Sequence, residues 1–146
     1  MQVFPNAPNV VPGLVKHSIE LRDLSAETIA RLGDEIQKRS QEIARDTGTE
    51  IIMEKVEHAP PALADPAIQA KIKTAATELG LKTMRLPSGA GHDAQMMAKI
   101  GPIGMIFVPS VDGISHSPKE FTRRQDCANG ANVLLQTILL IGGAGA

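Results

Sequence analysis

From Leu14 to Arg22 apolar and polar side chains alternate. Val15, His17, Ile19 and Leu21 fall on one side, and Lys16, Ser18, Glu20 and Arg22 on the other. A period of two predicts a half-buried strand. His17 shares the apolar side and reads as a packed or edge histidine rather than a titrating group. The period then changes. Ile29, Leu32, Ile36 and Ile43 recur at helical spacing, behind the capping oxygens of Asp23-Leu24-Ser25 and ahead of Gly48, which predicts a long helix. Its other face, with Glu27, Arg31, Glu35, Lys38, Arg39, Glu42 and Arg45, reads as solvated charge. Thr49–Val56, with Ile51, Ile52 and Met53, is a second strand candidate with imperfect alternation.

Ala59-Pro60-Pro61-Ala62 interrupts both periods. Two prolines block continued helix or sheet and make a stiff connector. Beyond them, Asp65-Pro66 supplies an N-cap and a first-turn proline, and Ile68, Ile72, Ala75 or Ala76 and Leu79 form a helical stripe ended by Gly80. Thr83–Leu86 reads as a short strand, Asp93–Ile100 as a short helix stopped by Gly101-Pro102, and Gly104–Val108 as a buried strand. A last helix is expected to open at Thr122, with Gln125 completing a capping box after Phe121, and to run through Val133, Leu134, Leu135 and Ile138. The glycine-rich tail from Gly142 is not expected to hold structure. The order gives an α/β chain in two subdomains, with few strand candidates in the second for a stable parallel sheet.

Composition narrows the function classes. The chain has 146 residues, 42% of them apolar, enough for one domain or parts of two. Three Phe and no Trp or Tyr argue against base-stacking modes of nucleic-acid binding, and a net charge of -1 gives no basic footprint. The single cysteine, Cys127, excludes an intrachain disulfide and cysteine-only metal cages. It reads as a small core residue of the last helix. The opening residues lack the features of a signal peptide. Val133–Ile141, broken by Gln136 and Thr137, is too short to cross a bilayer. The expectation is a soluble cytoplasmic protein with neither nucleic acid nor membrane as partner.

Two polar loops flank the predicted strand Gly104–Val108: Ser88-Gly-Ala-Gly-His-Asp-Ala94 before it and Gly113-Ile-Ser-His-Ser-Pro-Lys-Glu120 after it. Loops at strand ends are where α/β enzymes place their chemistry, so His92 and His116 are expected on neighbouring loops at one end of the strand. A neutral imidazole at position 116 can ligate Zn2+ or a similar ion; the alternative is a loop histidine bonded to Ser115 or Ser117. Gly89 and Gly91 permit unusual dihedrals and close approach of a ligand. Asp93 suits the first turn of a helix. Arg22 can grip a carboxylate in a two-pronged manner, with Asn9 adding a further hydrogen bond; as a surface residue it would pair with Asp23 or Glu20. Glu120 reads as an acid preceding a helix, and His58, beside the prolines, as exposed.

Together, Asn9-Val-Val-Pro-Gly13 with Ile19-Glu-Leu-Arg22, Leu86–Ala94, Gly104–Ser110 and Gly113–Glu120 resemble the C-terminal part of the hydantoinase/carbamoylase family. These dinuclear-metal amidohydrolases include N-carbamoyl-L-amino acid hydrolases, allantoate amidohydrolases and β-ureidopropionase-like enzymes. Glu20 departs from the aspartate that many members carry.

The resemblance implies a metal-dependent hydrolase acting on the carbamoyl or ureido C–N bond of N-carbamoyl-L-amino acids, allantoate or related ureido acids. It implies that His116 is the last metal ligand, that Gly91 and His92 position substrate beside the metals (His92 as a catalytic group), and that Asn9 and Arg22 hold the substrate carboxylate. Residues 1–58 would be the second half of a lid and dimerisation domain of α+β type, 59–65 a hinge, and 66–146 the closing β-α-β-α part of the catalytic domain.

Complete members bind two divalent ions, Zn2+ or Mn2+. Their other ligands and general-base glutamate lie upstream of the lid, outside the residues here, so the isolated chain is expected to be inactive. A partner is then expected to be a second copy in a homodimer or a complementing N-terminal chain, with a small ureido or carbamoyl acid as substrate. The alternative is a non-catalytic remnant, or a dimerising or binding subunit.

Overall fold

The computed structural model describes residues 1–56 and 59–143; His58 and the last three residues of the glycine-rich tail lie outside them. The chain divides into two compact units, Met1–Pro60 and Pro61–Ala146.

In the first unit, β1 (Gln2–Phe4) and β2 (Leu14–Lys16) pair antiparallel, with Gln2 opposite Lys16, Val3 opposite Val15 and Phe4 opposite Leu14. The predicted strand Leu14–Arg22 therefore stops at Lys16. A ladder extends only as far as its partner, and β1 is three residues long. His17 is exposed beyond the strand rather than packed on an apolar face, and Thr49–Val56 forms no strand.

Helix α1 (Ala26–Thr47) matches its local signals. Ser25 accepts a hydrogen bond from the Thr28 amide at 3.1 Å, Asp23 accepts one from the Ser25 amide at 2.8 Å, and Gly48 closes the helix at φ 66°. Glycine takes that left-handed cap without a Cβ clash. The helix buries none of its residues, and Ile43 of its apolar stripe is exposed.

The second unit is built on two helices, α2 (Pro66–Glu78) and α4 (Arg124–Gly142), packed on each other. Asp65 caps α2 by accepting from the amides of Ala67 and Ile68 at 2.8 and 2.9 Å, and Pro66 occupies the first turn, where no amide is needed. Ala75, Ala76 and Val133 form the buried core, with Ile72, Leu81, Ile106 and Leu140 packed against it. Buried Thr137 donates back to the Val133 carbonyl at 2.7 Å, and Lys71 Nζ donates to the Leu140 carbonyl at 2.6 Å, tying the helices together.

The predicted capping box of α4 does not form. The helix starts one residue late, with Arg123 rather than Thr122 at the N-cap and no side-chain cap, and Gln125 instead donates to Asn129 Oδ1 at 3.0 Å along the helix. Thr83–Leu86 has no strand pairing, and Asp93–Ile100 shortens to α3 (Ala94–Met97) followed by turns.

Gly104–Val108 is neither buried throughout nor hydrogen-bonded in a ladder. Its backbone makes no hydrogen bond among the described residues. The run is held by side chains instead: Gly104 lies against Ile68 and Ile72, Ile106 packs on the core, and Val108 lies against Gly130 of α4. Phe107 is exposed. A buried strand needs partners for its amides and carbonyls, and none of the described residues supplies them. No described helix is long and apolar enough to cross a membrane.

Candidate functional site

An open apolar groove of about 590 Å³ runs along the second unit between α2, Gly104–Val108 and α4. Ile72, Ile106, Leu134 and Ile138 contribute to its walls, and His92 and Cys127 border it. His92 thus reaches the groove, whereas His116 is not among its lining residues. Cys127 corrects the core reading: the thiol is exposed, because the groove beside α4 is uncovered.

His92 is exposed, and its Nδ1 accepts the Ala94 amide at 3.0 Å. An accepting Nδ1 carries no proton, so in the neutral imidazole the hydrogen sits on Nε2. The side chain therefore occupies the first free amide of α3 itself, and Asp93 makes no capping bond. Neither Gly89 nor Gly91 uses the left-handed region open to glycine. Both have open space where a side chain would sit, so the glycines leave this turn accessible rather than left-handed.

The left-handed geometry lies in the second loop. Asp112, Gly113 and His116 have φ of 57°, 67° and 54°. The Ser110 hydroxyl donates to the Ile114 carbonyl at 2.5 Å, and the Val111 amide donates to the Phe121 carbonyl at 2.8 Å. The His116 amide donates to Glu120 Oε2 at 2.8 Å. Gly113 was the one residue that could have flagged this bend in the sequence; nothing local distinguishes the His116–Glu120 bond.

In the first unit, Asn9 is exposed in a turn closed by the Val10 amide and the Ala7 carbonyl at 3.5 Å. Arg22 sits past the end of β2 and pairs with Glu20, Nη2 to Oε1 at 2.6 Å and Nε to Oε1 at 2.8 Å, with about half its side chain exposed. That carboxylate contact is the surface pairing the sequence allowed.

A divalent ion of the zinc type takes three or four protein ligands. Among the described residues no group of three or more His, Cys, Asp or Glu side chains is placed to hold one. His116 alone does not fit a resident metal.

Comparison with known proteins fixes the lineage. The pattern of peptidase family M20/M25/M40 matches residues 4–140. The chain is 39% identical over 138 residues to an N-carbamoyl-L-amino acid amidohydrolase of Geobacillus stearothermophilus, covering 94% of this chain and 34% of that protein. It is 36% identical over 139 residues to a ureidoglycolate hydrolase of Arabidopsis thaliana, covering 94% and 29%. Its backbone matches the crystal structure of an amidase of the hydantoinase/carbamoylase family from Burkholderia vietnamiensis with a TM-score of 0.78 at 33% identity, covering 94% of this chain and 33% of that one. The chain thus spans about a third of the length of the relatives it matches. With a pattern match over nearly its whole length, the chain belongs to peptidase family M20/M25/M40.

Proposed function

We propose that these residues form the substrate-binding and closing portion of an amidohydrolase that cleaves the carbamoyl or ureido C–N bond of N-carbamoyl-L-amino acids or related ureido acids such as allantoate. The observation that carries the reading is the 39% identity to an N-carbamoyl-L-amino acid amidohydrolase over 94% of this chain. In the reaction, water adds to the ureido carbonyl carbon and the C–N bond breaks, giving the free amine and a carbamate-level product that falls to carbon dioxide and ammonia.

The roles of the residues here are in binding. Arg22 exchanges Glu20 for the substrate carboxylate, to which its planar fork bonds through two nitrogens, and Asn9 adds an amide donor. His92, with Nδ1 held by the Ala94 amide, offers its Nε2 proton to a substrate oxygen. The Gly91 amide is a second donor, on a residue exposed to solvent. His116 is one of the ligands of a metal pair whose other ligands come from outside these residues, with Zn2+ or Mn2+ as the ions.

The test is a chimera in which this chain replaces the matching third of the Geobacillus amidohydrolase, assayed for amino acid release from an N-carbamoyl-L-amino acid. The expected result is hydrolysis that His116→Ala abolishes and Arg22→Ala weakens. A folded chimera that binds its metals but releases no amino acid refutes the proposal.

A further inference from the structure

We propose that Glu120 is a positioning residue for His116: its carboxylate holds the histidine backbone in a left-handed conformation and so sets where the imidazole stands. The sequence left Glu120 as an acid preceding a helix. In the structure it reaches back four residues, and its Oε2 accepts the His116 amide at 2.8 Å. A hydrogen bond to an ionised acceptor is about twice as strong as a neutral one.

The second observation is the backbone itself. His116 has φ 54°, a region that residues with a Cβ enter at a cost and keep only when their surroundings enforce it. The intervening turn has its own bonds, the Glu120 amide to the Ser117 carbonyl at 2.9 Å and the Lys119 amide to Ser117 Oγ at 3.3 Å. Neither reaches His116. Among the described residues, the Glu120 carboxylate is the group seen to grip its amide. If the grip is released, the residue can relax to negative φ, and its side chain then leaves the turn in a different direction.

The inference takes its significance from reading His116 as a functional residue, but its test does not depend on activity. In the full-length chain, a residue at φ near 54° has its Hα close to its own amide proton, giving a strong intraresidue NOE. A strong NOE and slowed amide exchange at His116 are expected in the wild type and in Glu120→Gln, which keeps an acceptor at the same reach. Both signals should be lost in Glu120→Ala and Glu120→Asp, the latter being one methylene short. Resonances of Ala75, Ala76 and Val133 report whether each variant is folded. A weak NOE in the wild type, or a strong one that survives in Glu120→Ala, overturns the proposal.

Should Glu120→Ala fail to fold, the same comparison is made in His116→Gly. Glycine enters positive φ without a Cβ penalty, so there Glu120→Ala should leave the Ser117–Glu120 turn signals in place. Equal disruption in that background shows that the carboxylate supports the whole loop rather than His116, and the proposal falls. Loss of chimera activity with an intact His116 NOE would count against the proposed function and leave this inference standing.

Discussion

Gly104→Ala tests the packing on which the second unit rests. A Cβ at position 104 would meet Ile68 Cγ2 well inside contact distance, Ile72 Cδ1 at 3.1 Å and Ile68 Cβ at 3.5 Å. Ile72 Cδ1 ends a flexible side chain and can swing aside. Ile68 Cγ2 is fixed to the β-carbon of a helical, β-branched residue with one favoured rotamer, so the run or α2 must shift.

Inserting a methylene-sized group into a packed contact costs about 1–3 kcal/mol. Replacing glycine with alanine at a compatible backbone returns about 0.4–1 kcal/mol through the unfolded state, and Gly104 lies outside the left-handed region. The net expectation is a loss of about 1–2 kcal/mol, or a fall in Tm of about 4–16 °C for a unit this size. Urea unfolding followed by helical circular dichroism suits a chain with no Trp or Tyr. The control is a double-mutant cycle with Ile68→Ala, which deletes the clashing methyl: there the cost of Gly104→Ala should fall to near zero. An unchanged midpoint in the single variant, or an equal cost in both backgrounds, means that the run does not lie against α2 as described.

Four further outcomes are expected. Asp65→Ala removes the acceptor of two amide bonds and should lower stability by about 1 kcal/mol in the same assay, with Asp65→Asn losing much less. The hydrogen bond from Arg39, helped by its charge and by those of Lys38 and Arg45, holds the Glu42 carboxyl below the usual carboxylate range. A lowered folded pKa stabilises at pH above the unfolded value and is lost as pH falls through the folded one. Carboxyl NMR should therefore show Glu42 titrating low and returning upward in Arg39→Met; equal values in both would mean the pair does not persist in solution. Nitrogen NMR of His92 at a pH where it is neutral should show the proton on Nε2, and an Nδ1–H tautomer would contradict the bond to Ala94. In the chimera, Arg22→Lys should raise KM more than the surface control Arg31→Lys does, because lysine keeps the charge but not the fork; unchanged kinetics would leave Arg22 with a surface-pairing role such as that to Glu20.

What was legible in the sequence was what neighbouring residues decide. Ser25 and Gly48 bound α1, and Asp65-Pro66 opens α2, because caps are made within one turn. The start of α4 escaped because Gln125 had two local uses, and the bond along the helix to Asn129 prevailed over the capping box. Strands are less legible for a different reason. Alternation shows which faces a segment could bury, but a ladder requires a partner remote in sequence, and Thr49–Val56, Thr83–Leu86 and Gly104–Val108 have none among the described residues. At the candidate site, the open approach to the backbone at Gly91 could be read, whereas the left-handed bend at His116 could not. Its cause is a carboxylate four residues away, and no residue-type preference encodes that bond.

The two histidine loops and the apolar run between them form one mechanical problem. Ile106 fastens the middle of the run to the Ala75, Ala76 and Val133 core, while Gly104 and Val108 lie against the two helices. Side-chain packing of this kind fixes the run's distance from α2 and α4. It fixes less well the rotation of the run about its own axis, which a ladder sets through directional hydrogen bonds. Rotation also bears on how the flanking loops are aimed. The local bonds of each loop, Ala94 to His92 and His116 to Glu120, therefore hold the imidazoles relative to their own turns and not to one another. A strand paired along Gly104–Val108 would supply the missing constraint. Placing the remaining two-thirds of a relative alongside, as in the chimera, should thus act on geometry: it would orient the loops that carry His92 and His116.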